Sequence, residues 1–310
     1  MNSEFECLAC ESLAGDGLDE EGALRVLQLL SESAISVEAV QECADAVRQK
    51  WMGPACIRCS DGFTSNECSG GCSYCYLSIR NRAYVQNRLP HALNSADAIV
   101  QDAKRKWSLG ATNYKIVGTE WRLPRNEFSI ALEAFETLAK ETDLTLCASM
   151  GALDAAHLRQ LRSAGVTNYN HNVETTRKRY GTLCCTLSYD EKIATNERAR
   201  NAGLQRCSGF MMGMGESVRE RIAIGRLLHD LEVESIPINV FVPIDSRSVP
   251  QVTESDGLLT IAIVRLMCPR AHIIANNGNI YLGGDREAIL RCGASGIGLS
   301  GGNYLDHARS

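Results

Sequence analysis

Residues 67–77 read ECSGGCSYCYL, which sets Cys68, Cys72 and Cys75 in a C-x3-C-x2-C pattern. Three thiolates this close on one loop are able to hold three irons of a [4Fe–4S] cluster, and the fourth iron then has no protein ligand. A small molecule is able to chelate this open iron, which makes the cluster a catalyst rather than an electron carrier. The pattern therefore predicts a catalytic cluster whose ligands are these three cysteines.

The residues between the cysteines suit this interpretation. Gly70 and Gly71 allow the sharp turns of a loop that wraps a cluster, and Tyr74 is placed to cover the cluster or to stack on a bound ring. The alternatives are a zinc site and scattered core cysteines, since the chain has 14 cysteines. A structural zinc site needs four ligands, usually as paired C-x2-C units, so the triplet favours iron and sulfur.

Composition bounds the class of protein. A chain of 310 residues is long enough for one large domain, and an α/β barrel commonly takes this length. The formal charge of −5 argues against nucleic acid as the main partner. No apolar run approaches a membrane span, and the first residues lack the basic and apolar regions of a signal peptide. Many cysteines without an export signal indicate metal or redox chemistry, so we expect a cytoplasmic protein.

Hydrophobic periodicity indicates the organisation of the chain. Residues 19–31 and 36–50 predict two amphipathic helices in an N-terminal helical cap (1–52), which precedes a barrel domain (53–310). After the cysteine loop, β-rich segments alternate with helical ones. We expect strands at 112–117, 144–149, 167–172, 204–212, 236–242, 271–275 and 295–299, one more strand before Cys68, and helices at 95–108, 127–140, 153–164, 189–202, 217–231, 256–267 and 285–291.

Regular alternation with eight strands predicts a parallel α/β sheet closed into a (βα)8 TIM-type barrel. Chemistry in such barrels lies on the loops that follow the carboxyl ends of the strands. Cys147 and Cys207 fall inside or just beyond predicted strands. We therefore expect both thiols to point into one cavity.

The cysteine triplet resembles the signature of the radical S-adenosylmethionine (SAM) superfamily. Four further stretches, LCASMG at 146–151, YNHNVET at 169–175, CSGFMMGMGES at 207–217 and IPIN at 236–239, together resemble its biotin synthase branch. The resemblance implies that the open iron binds SAM. It also implies that one electron cleaves SAM to a 5′-deoxyadenosyl radical, which abstracts hydrogen from an unactivated carbon.

The resemblance also implies which residues bind the cofactor SAM, although each has a local alternative as a turn cap, a surface lysine or a loop glycine. The implied residues are Gly118, Thr119 and Glu120 at the methionine amino group, Asn172 and Glu174 at the ribose, Lys192 at the carboxylate, and Gly213, Gly215 and Glu216 in a turn against adenine.

Biotin synthase-like enzymes carry an auxiliary iron–sulfur cluster that supplies sulfur. In its two-iron form the ligands are three cysteines and an arginine, but here Lys115 stands at the first cysteine position and His272 at the arginine. A histidine is still able to bind iron. The pattern looks more like the variant of anaerobes, which has a four-iron auxiliary cluster. That likeness implies the ligands Cys59, Cys147, Cys184 and Cys207, with Cys185 as a substitute for Cys184.

Two substrates fit the resemblance. Asn170, Asn172 and Asn239 match the amides that face a ureido ring in biotin synthase, which favours dethiobiotin. The arginine is lost at His272, and the segment GLSGGNYLDH at 298–307 lacks the paired threonines that hold the dethiobiotin carboxylate. A protein-bound octanoyl chain needs no such clamp. The sequence therefore narrowly favours a lipoyl synthase-type sulfurtransferase, and biotin synthase proper stays an alternative.

Other classes stay open as well. The run GGDREAILRCGA at 283–294 resembles the hydrogenase-maturation radical SAM enzyme, which inserts no sulfur. An iron–sulfur electron carrier would need no SAM-binding turns. As partners we expect a small-molecule or protein-bound acyl substrate, a reducing donor such as ferredoxin or flavodoxin and a second, paired radical SAM protein, with neither nucleic acid nor membrane.

Overall fold

The computed structural model describes residues 2–54, 56–65, 68–78, 80–81, 94–118, 121, 124–242, 252–283 and 285–299. At its centre a parallel sheet closes into a barrel. The strands are β1 (Ile57–Phe63), β2 (Asn113–Val117), β3 (Thr145–Ser149), β4 (Asn168–Asn170), β5 (Gln205–Cys207), β6 (Phe210–Met212), β7 (Ser235–Val240), β8 (His272–Ala275) and β9 (Gly296–Gly298).

The strand order is β5-β4-β3-β2-β1-β9-β8-β7-β6, and a pairing of Cys207 in β5 with Ser235 in β7 closes the ring. β5 and β6 both pair with β7, so nine segments form eight strand positions. The (βα)8 prediction is confirmed. The predicted strand 204–212 is interrupted at Ser208 and Gly209, where a Cβ on residue 209 would collide with the Pro237 carbonyl. The other predicted strands agree to within two residues at each end.

Helices surround the barrel. All nine predicted helices are present to within two residues at each end, whereas α1 and the short α7 were not predicted. In the described part of the chain, no helix is long and apolar enough to cross a membrane. The helices are α1 (Ser3–Ala14), α2 (Glu20–Ser31), α3 (Val37–Met52), α4 (Ala96–Ser108), α5 (Arg125–Glu141), α6 (Ala155–Ser163), α7 (Arg177–Leu183), α8 (Tyr189–Asn201), α9 (Val218–Asp230), α10 (Glu254–Met267) and α11 (Arg286–Arg291).

The amino-terminal helices pack on the barrel helices rather than on each other alone. α3 lies along α10, and α2 contacts α9. Their apolar positions, such as Val26, Val40 and Val47, are buried in the larger core. Burial of one such side chain contributes about 1.5–3 kcal/mol, so the cap is part of the stable fold. The predicted domain boundary after residue 52 stays a prediction.

Strand alternation decides which side chains enter the barrel. In β2, Tyr114 and Ile116 are fully buried in the core beneath the helices, whereas Lys115 and Val117 line the barrel cavity. Successive strand residues point to opposite faces, and the same rule sends Asn170 of β4 and Asn239 of β7 inward. The apolar core therefore lies outside the sheet, and the interior is left for polar chemistry.

Arg265 on α10 is a charge buried outside the barrel cavity. Its side chain is fully buried, and Nε donates to the Gly293 carbonyl at 2.8 Å. Nη1 donates to the carbonyls of Ala271 at 2.7 Å, Pro269 at 3.0 Å and Cys268 at 3.3 Å. Burial lowers the pKa of Arg265 to about 10. The guanidinium thus joins the loop before β8 to the loop before β9.

We expect Arg265→Met to lower the free energy of unfolding by about 2–4 kcal/mol, because several buried carbonyls lose their donors. Urea denaturation followed by circular dichroism measures the change. Arg159→Met, on the exposed side of α6, is the control and should change it by less than about 0.5 kcal/mol. Equal stability of the two variants would contradict the role given to Arg265.

Candidate active site

A cavity of about 330 Å³ opens at the carboxyl ends of the strands. Its wall includes Gly118 after β2, Ser149 at the end of β3 and Asn276 after β8. The three cysteines of the 67–77 segment and Tyr74 line the same cavity. This is the end at which barrel enzymes carry their chemistry. Thr119 and Glu120, predicted beside Gly118, lie outside the described residues.

The cysteine loop fits an iron–sulfur cluster with three protein ligands. Cys68, Cys72 and Cys75 present soft sulfur donors to one cavity, and the Gly70 amide donates to Cys68 Sγ at 3.2 Å. Asn81 Nδ2 donates to three carbonyls of this loop at 2.8–3.1 Å and fixes its shape. Burial raises the pKa of Cys75 to about 11. Soft thiolate donors of this kind, with amide hydrogen bonds to sulfur, suit an iron–sulfur cluster.

Cys184 lies at this loop and not at the auxiliary site predicted for it. Its Sγ is 3.2 Å from Cys72 Sγ. The segment after α7 is held there, because the Ser73 amide donates to the Leu183 carbonyl at 2.8 Å. The Cys72 thiol donates to Cys184, which lowers the pKa of Cys184 and raises that of Cys72. Cys184 is therefore removed from the predicted four-cysteine auxiliary set, since the bend after α7 carries it to the cavity mouth, and Cys59, Cys147 and Cys207 stay predicted ligands.

The predicted SAM-binding residues Asn172, Glu174 and Lys192 form one polar group on the cavity wall. Lys192 Nζ donates to the Asn172 carbonyl at 2.9 Å and lies 3.7 Å from Glu174 Oε1. The ammonium also lies over the Tyr180 ring, 5.2 Å from its centroid. Burial raises the pKa of Glu174, and Lys192 partly offsets that rise. Lys192 is buried, not the solvated helix residue of the alternative interpretation.

Glu174 is held in a strained backbone conformation. Its φ of 70° lies in the left-handed region, which costs a non-glycine residue about 1–2 kcal/mol. The Glu174 amide donates to the Gly209 carbonyl at 3.1 Å, and the Met211 amide donates to the Glu174 carbonyl at 2.9 Å. These bonds to the interrupted strand aim the carboxylate into the cavity. Such strain is typical of functional positions.

The predicted adenine turn is shaped by its own glutamate. Gly213 and Gly215 have φ of 93° and 91°, which favour glycine. Glu216 accepts hydrogen bonds from the amides of Gly213 and Met214, both at 2.8 Å, and Arg221 Nε donates to it at 2.8 Å. Its side chain is fully buried. Glu216 therefore builds the turn, and among the described residues none of the three predicted positions lines the cavity.

A second group of thiols lies deeper in the barrel interior. Cys147 and Cys207 are buried and each shifts the pKa of the other, and Cys59 interacts electrostatically with both. Lys115 Nζ lies 3.3 Å from Asp61 Oδ1 beside these thiols. Burial opposes the ammonium, but Asp61 and the thiols outweigh burial and raise the pKa of Lys115. Three soft donors with a neighbouring cation fit a sulfur-rich metal cluster.

Carboxamide side chains form part of the cavity wall. Asn170 Nδ2 donates to Asn172 Oδ1 at 3.0 Å and lies 3.4 Å from Cys207 Sγ. Across the cavity, Asn239 Oδ1 accepts from Asn276 Nδ2 at 3.2 Å. Asn170, Asn239 and Asn276 all line the cavity. They give the cavity wall a polar part, in which Asn170 adjoins Cys207 of the deeper thiols.

Sequence reasoning missed Asp61, Asn276 and the contact between Cys72 and Cys184. Asp61 follows Cys59 by two residues in β1, so strand alternation was a signal that both point inward. Asn276 directly follows β8, whose last residue Ala275 pairs with Ile238 just before Asn239. This neighbourhood was a weaker signal that Asn276 lies beside Asn239. The thiol contact joins residues 112 positions apart and had no local signal.

Comparisons with known proteins agree with this geometry. Residues 63–228 match the Radical SAM superfamily, and residues 237–307 match the Biotin and Thiamin Synthesis associated domain. The biotin synthase of Clostridium tetani is 34% identical over 85% of this chain and 81% of its own length. That of Acetivibrio thermocellus is 35% identical over 89% of this chain and 86% of its own length.

Solved structures share the fold at lower identity. Methylornithine synthase superposes with a TM-score of 0.77 and 21% identity over 94% of this chain and 85% of its own. The [FeFe]-hydrogenase maturase HydG superposes with a TM-score of 0.79 and 15% identity over 96% of this chain and 68% of its own. The prediction of a [4Fe–4S] cluster, SAM and an auxiliary iron–sulfur cluster as cofactors is confirmed at the level of the family. The chain belongs to the radical SAM superfamily, in its biotin synthase-like branch.

Proposed function

We propose that this enzyme forms carbon–sulfur bonds at an unactivated carbon. One observation carries the proposal: the barrel holds two groups of thiols with a cavity that adjoins both. Cys68, Cys72 and Cys75 line the mouth, whereas Cys59, Cys147 and Cys207 lie deeper, behind Asn170 and Lys115. One centre that makes a radical and another that donates sulfur need this arrangement. An electron carrier would need neither a cavity nor two centres.

The cavity wall supplies the groups that SAM requires. Bound at these residues, the mouth cluster with SAM would supply a carbon radical and the inner cluster would supply sulfide. Lys192 is a buried ammonium that would pair with the SAM carboxylate. Asn172 Oδ1 already accepts from Asn170 Nδ2 and the Gly209 amide, so Asn172 would donate its Nδ2 to a ribose hydroxyl, whereas the Glu174 carboxylate would accept from the ribose hydroxyls. Tyr74 covers the cluster loop from the cavity side. Burial of these groups excludes water, which strengthens each contact.

The Lys115–Asp61 pair belongs to the sulfur-donating centre. Thiolate-ligated clusters are anionic, and a buried anion requires a nearby cation. Lys115 stands at the position of a lost cysteine ligand, so the chain exchanges a metal donor for a positive charge. Asp61 keeps the Lys115 ammonium in place at 3.3 Å. We infer that Lys115 stabilises the cluster electrostatically without binding iron.

For the substrate, the described part of the cavity supports dethiobiotin. A cyclic urea offers one carbonyl acceptor and two N–H donors, which the carboxamides of Asn170, Asn239 and Asn276 match. The relatives named above are biotin synthases. The absence of the paired threonines, which argued against dethiobiotin, concerns the carboxyl-terminal segment. Residues 300–310 of this segment lie outside the described residues.

An octanoyl amide is the second candidate. Lys115 and Lys192 are the cations of the described cavity lining; Lys115 pairs with Asp61, and Lys192 is assigned to the SAM carboxylate. A substrate with a free carboxylate therefore has no unengaged ammonium in this part of the wall. A protein-bound octanoyl chain carries no carboxylate and avoids that cost. With this substrate the enzyme is of the lipoyl synthase type and works with a paired radical SAM protein. The reaction of either substrate requires an electron donor such as ferredoxin or flavodoxin.

We expect Lys192→Met to weaken SAM binding about 10- to 100-fold, because a charge-assisted pair contributes about 1.5–3 kcal/mol. Anaerobic calorimetry on the cluster-loaded enzyme measures the dissociation constant. Lys192→Arg keeps the charge and should retain most of the affinity, and Lys178→Met on the exposed side of α7 should change nothing. Unaltered affinity in Lys192→Met would contradict the assignment.

Substitution of the inner thiols tests the two-centre proposal directly. We expect Cys147→Ala to retain production of 5′-deoxyadenosine, to lose thiolated product and to keep about four irons, which belong to the mouth cluster. Cys68→Ala should lose both SAM cleavage and thiolated product, and it should keep the iron of the inner site. Mass spectrometry and iron analysis give both readouts. Thiolated product from Cys147→Ala would overturn the sulfur-donor role.

The substrate is tested by competition under identical anaerobic conditions. We expect dethiobiotin to give more 5′-deoxyadenosine and more thiolated product than an octanoyl-lysyl peptide. Asn239→Ala should reduce the dethiobiotin reaction at least about tenfold, since one urea hydrogen bond in a buried site is lost, and Asn201→Ala on the surface should not. If the enzyme converts the peptide and leaves dethiobiotin unchanged, the dethiobiotin proposal is wrong and lipoyl formation is the function.

A further inference from the structure

Cys72 and Cys184 form a pair of thiols of which the proposed reaction requires only Cys72. Only Cys72 belongs to the C-x3-C-x2-C triplet, yet Cys184 Sγ lies 3.2 Å from Cys72 Sγ. The two residues face each other as an antiparallel bridge. A disulfide has a sulfur–sulfur distance of about 2.05 Å and accepts the backbone separation of neighbouring strands. A small side-chain movement is therefore enough to join them.

The backbone around the pair holds both residues in place. The Ser73 amide donates to the Leu183 carbonyl at 2.8 Å, and the Gly71 amide donates to Thr186 Oγ1 at 3.1 Å. These two contacts flank the pair on each side. The neighbouring Cys185 is exposed and takes a different direction, with its Sγ 2.9 Å from Arg80 Nη1. Cys184, not Cys185, is thus oriented toward Cys72.

We propose that Cys72 and Cys184 form a reversible disulfide when the mouth cluster is absent and a peroxide is present. One thiolate attacks hydrogen peroxide, the O–O bond breaks, and a sulfenic acid and water form. The second thiolate attacks the sulfenic sulfur, the S–S bond forms, and the hydroxyl leaves with the remaining proton as water. Two thiols are oxidised by two electrons, and one peroxide is reduced to two waters.

The disulfide has two consequences for the chain. It removes Cys72 from the ligand set, so the mouth cannot hold three irons until a thiol reductant restores it. It also protects Cys72 from the sulfinic and sulfonic states, which thiols do not reverse. The proposal rests on Cys72 being a cluster ligand and not on sulfur insertion. The disulfide test therefore has the same meaning whichever substrate the enzyme uses.

Peptide mapping of the cluster-free protein tests the proposal. Iron is removed anaerobically with a chelator, one equivalent of hydrogen peroxide is added, free thiols are blocked with N-ethylmaleimide, and the unreduced digest is sequenced by mass spectrometry. We expect Cys72–Cys184 as the dominant crosslink of the wild-type chain. Cys185→Ser should keep it, and Cys184→Ser and Cys184→Ala should abolish it.

Iron uptake gives a second readout without turnover. The oxidised wild-type chain should reload about four irons fewer than the reduced chain, and dithiothreitol should restore them. In Cys184→Ser no thiol resolves the sulfenic acid of Cys72, so after excess peroxide dithiothreitol should not restore the lost irons. A dominant crosslink of Cys72 to Cys68 or Cys75, or full blocking of Cys184 by maleimide after oxidation, would overturn the proposal. Mapping of the wild-type chain decides this even if a variant fails to fold.

Discussion

The parallel sheet closes on itself, and the positions of the cavity, the thiols and the buried charges follow from that closure. The ring is completed where Cys207 of β5 pairs with Ser235 of β7 and β6 then continues on the same neighbour. Closure satisfies the backbone hydrogen bonds of both edges, and it divides each strand into an outward apolar face and an inward polar face. Without that division, Lys115 and the inner thiols would meet the same core as Tyr114.

Electrostatics inside the barrel follow from this enclosure. Buried charges persist only when they are paired, and both cations of the described cavity wall have an acidic neighbour. Lys192 with Glu174 lies on the side of the cysteine loop, and Lys115 with Asp61 lies beside the inner thiols. The two pairs thus divide the cavity into a part suited to a zwitterionic cofactor and a part suited to an anionic cluster.

The interrupted strand connects these parts. Gly209 lets the backbone pass Pro237, and its carbonyl accepts the hydrogen bond that holds Glu174 in the left-handed conformation. The helix that follows Glu174 ends at Leu183, where the chain turns back and brings Cys184 to Cys72. A glycine position that looks like simple loop geometry in the sequence therefore helps to place a carboxylate in the cavity wall.

Periodicity and short motifs are local, so the amino-acid sequence was enough to predict the eight-strand alternation, most element boundaries, the cysteine loop and the family. It also located Lys192, Glu174 and Asn172, whose grouping the barrel then provided. The folded chain, in contrast, places Cys184 beside Cys72 rather than with the inner thiols, and it pairs Asp61 with Lys115. Those outcomes depend on contacts between distant segments, as between Cys72 and Cys184, and spacing along the chain carries no information about which distant side chains a closed barrel brings together.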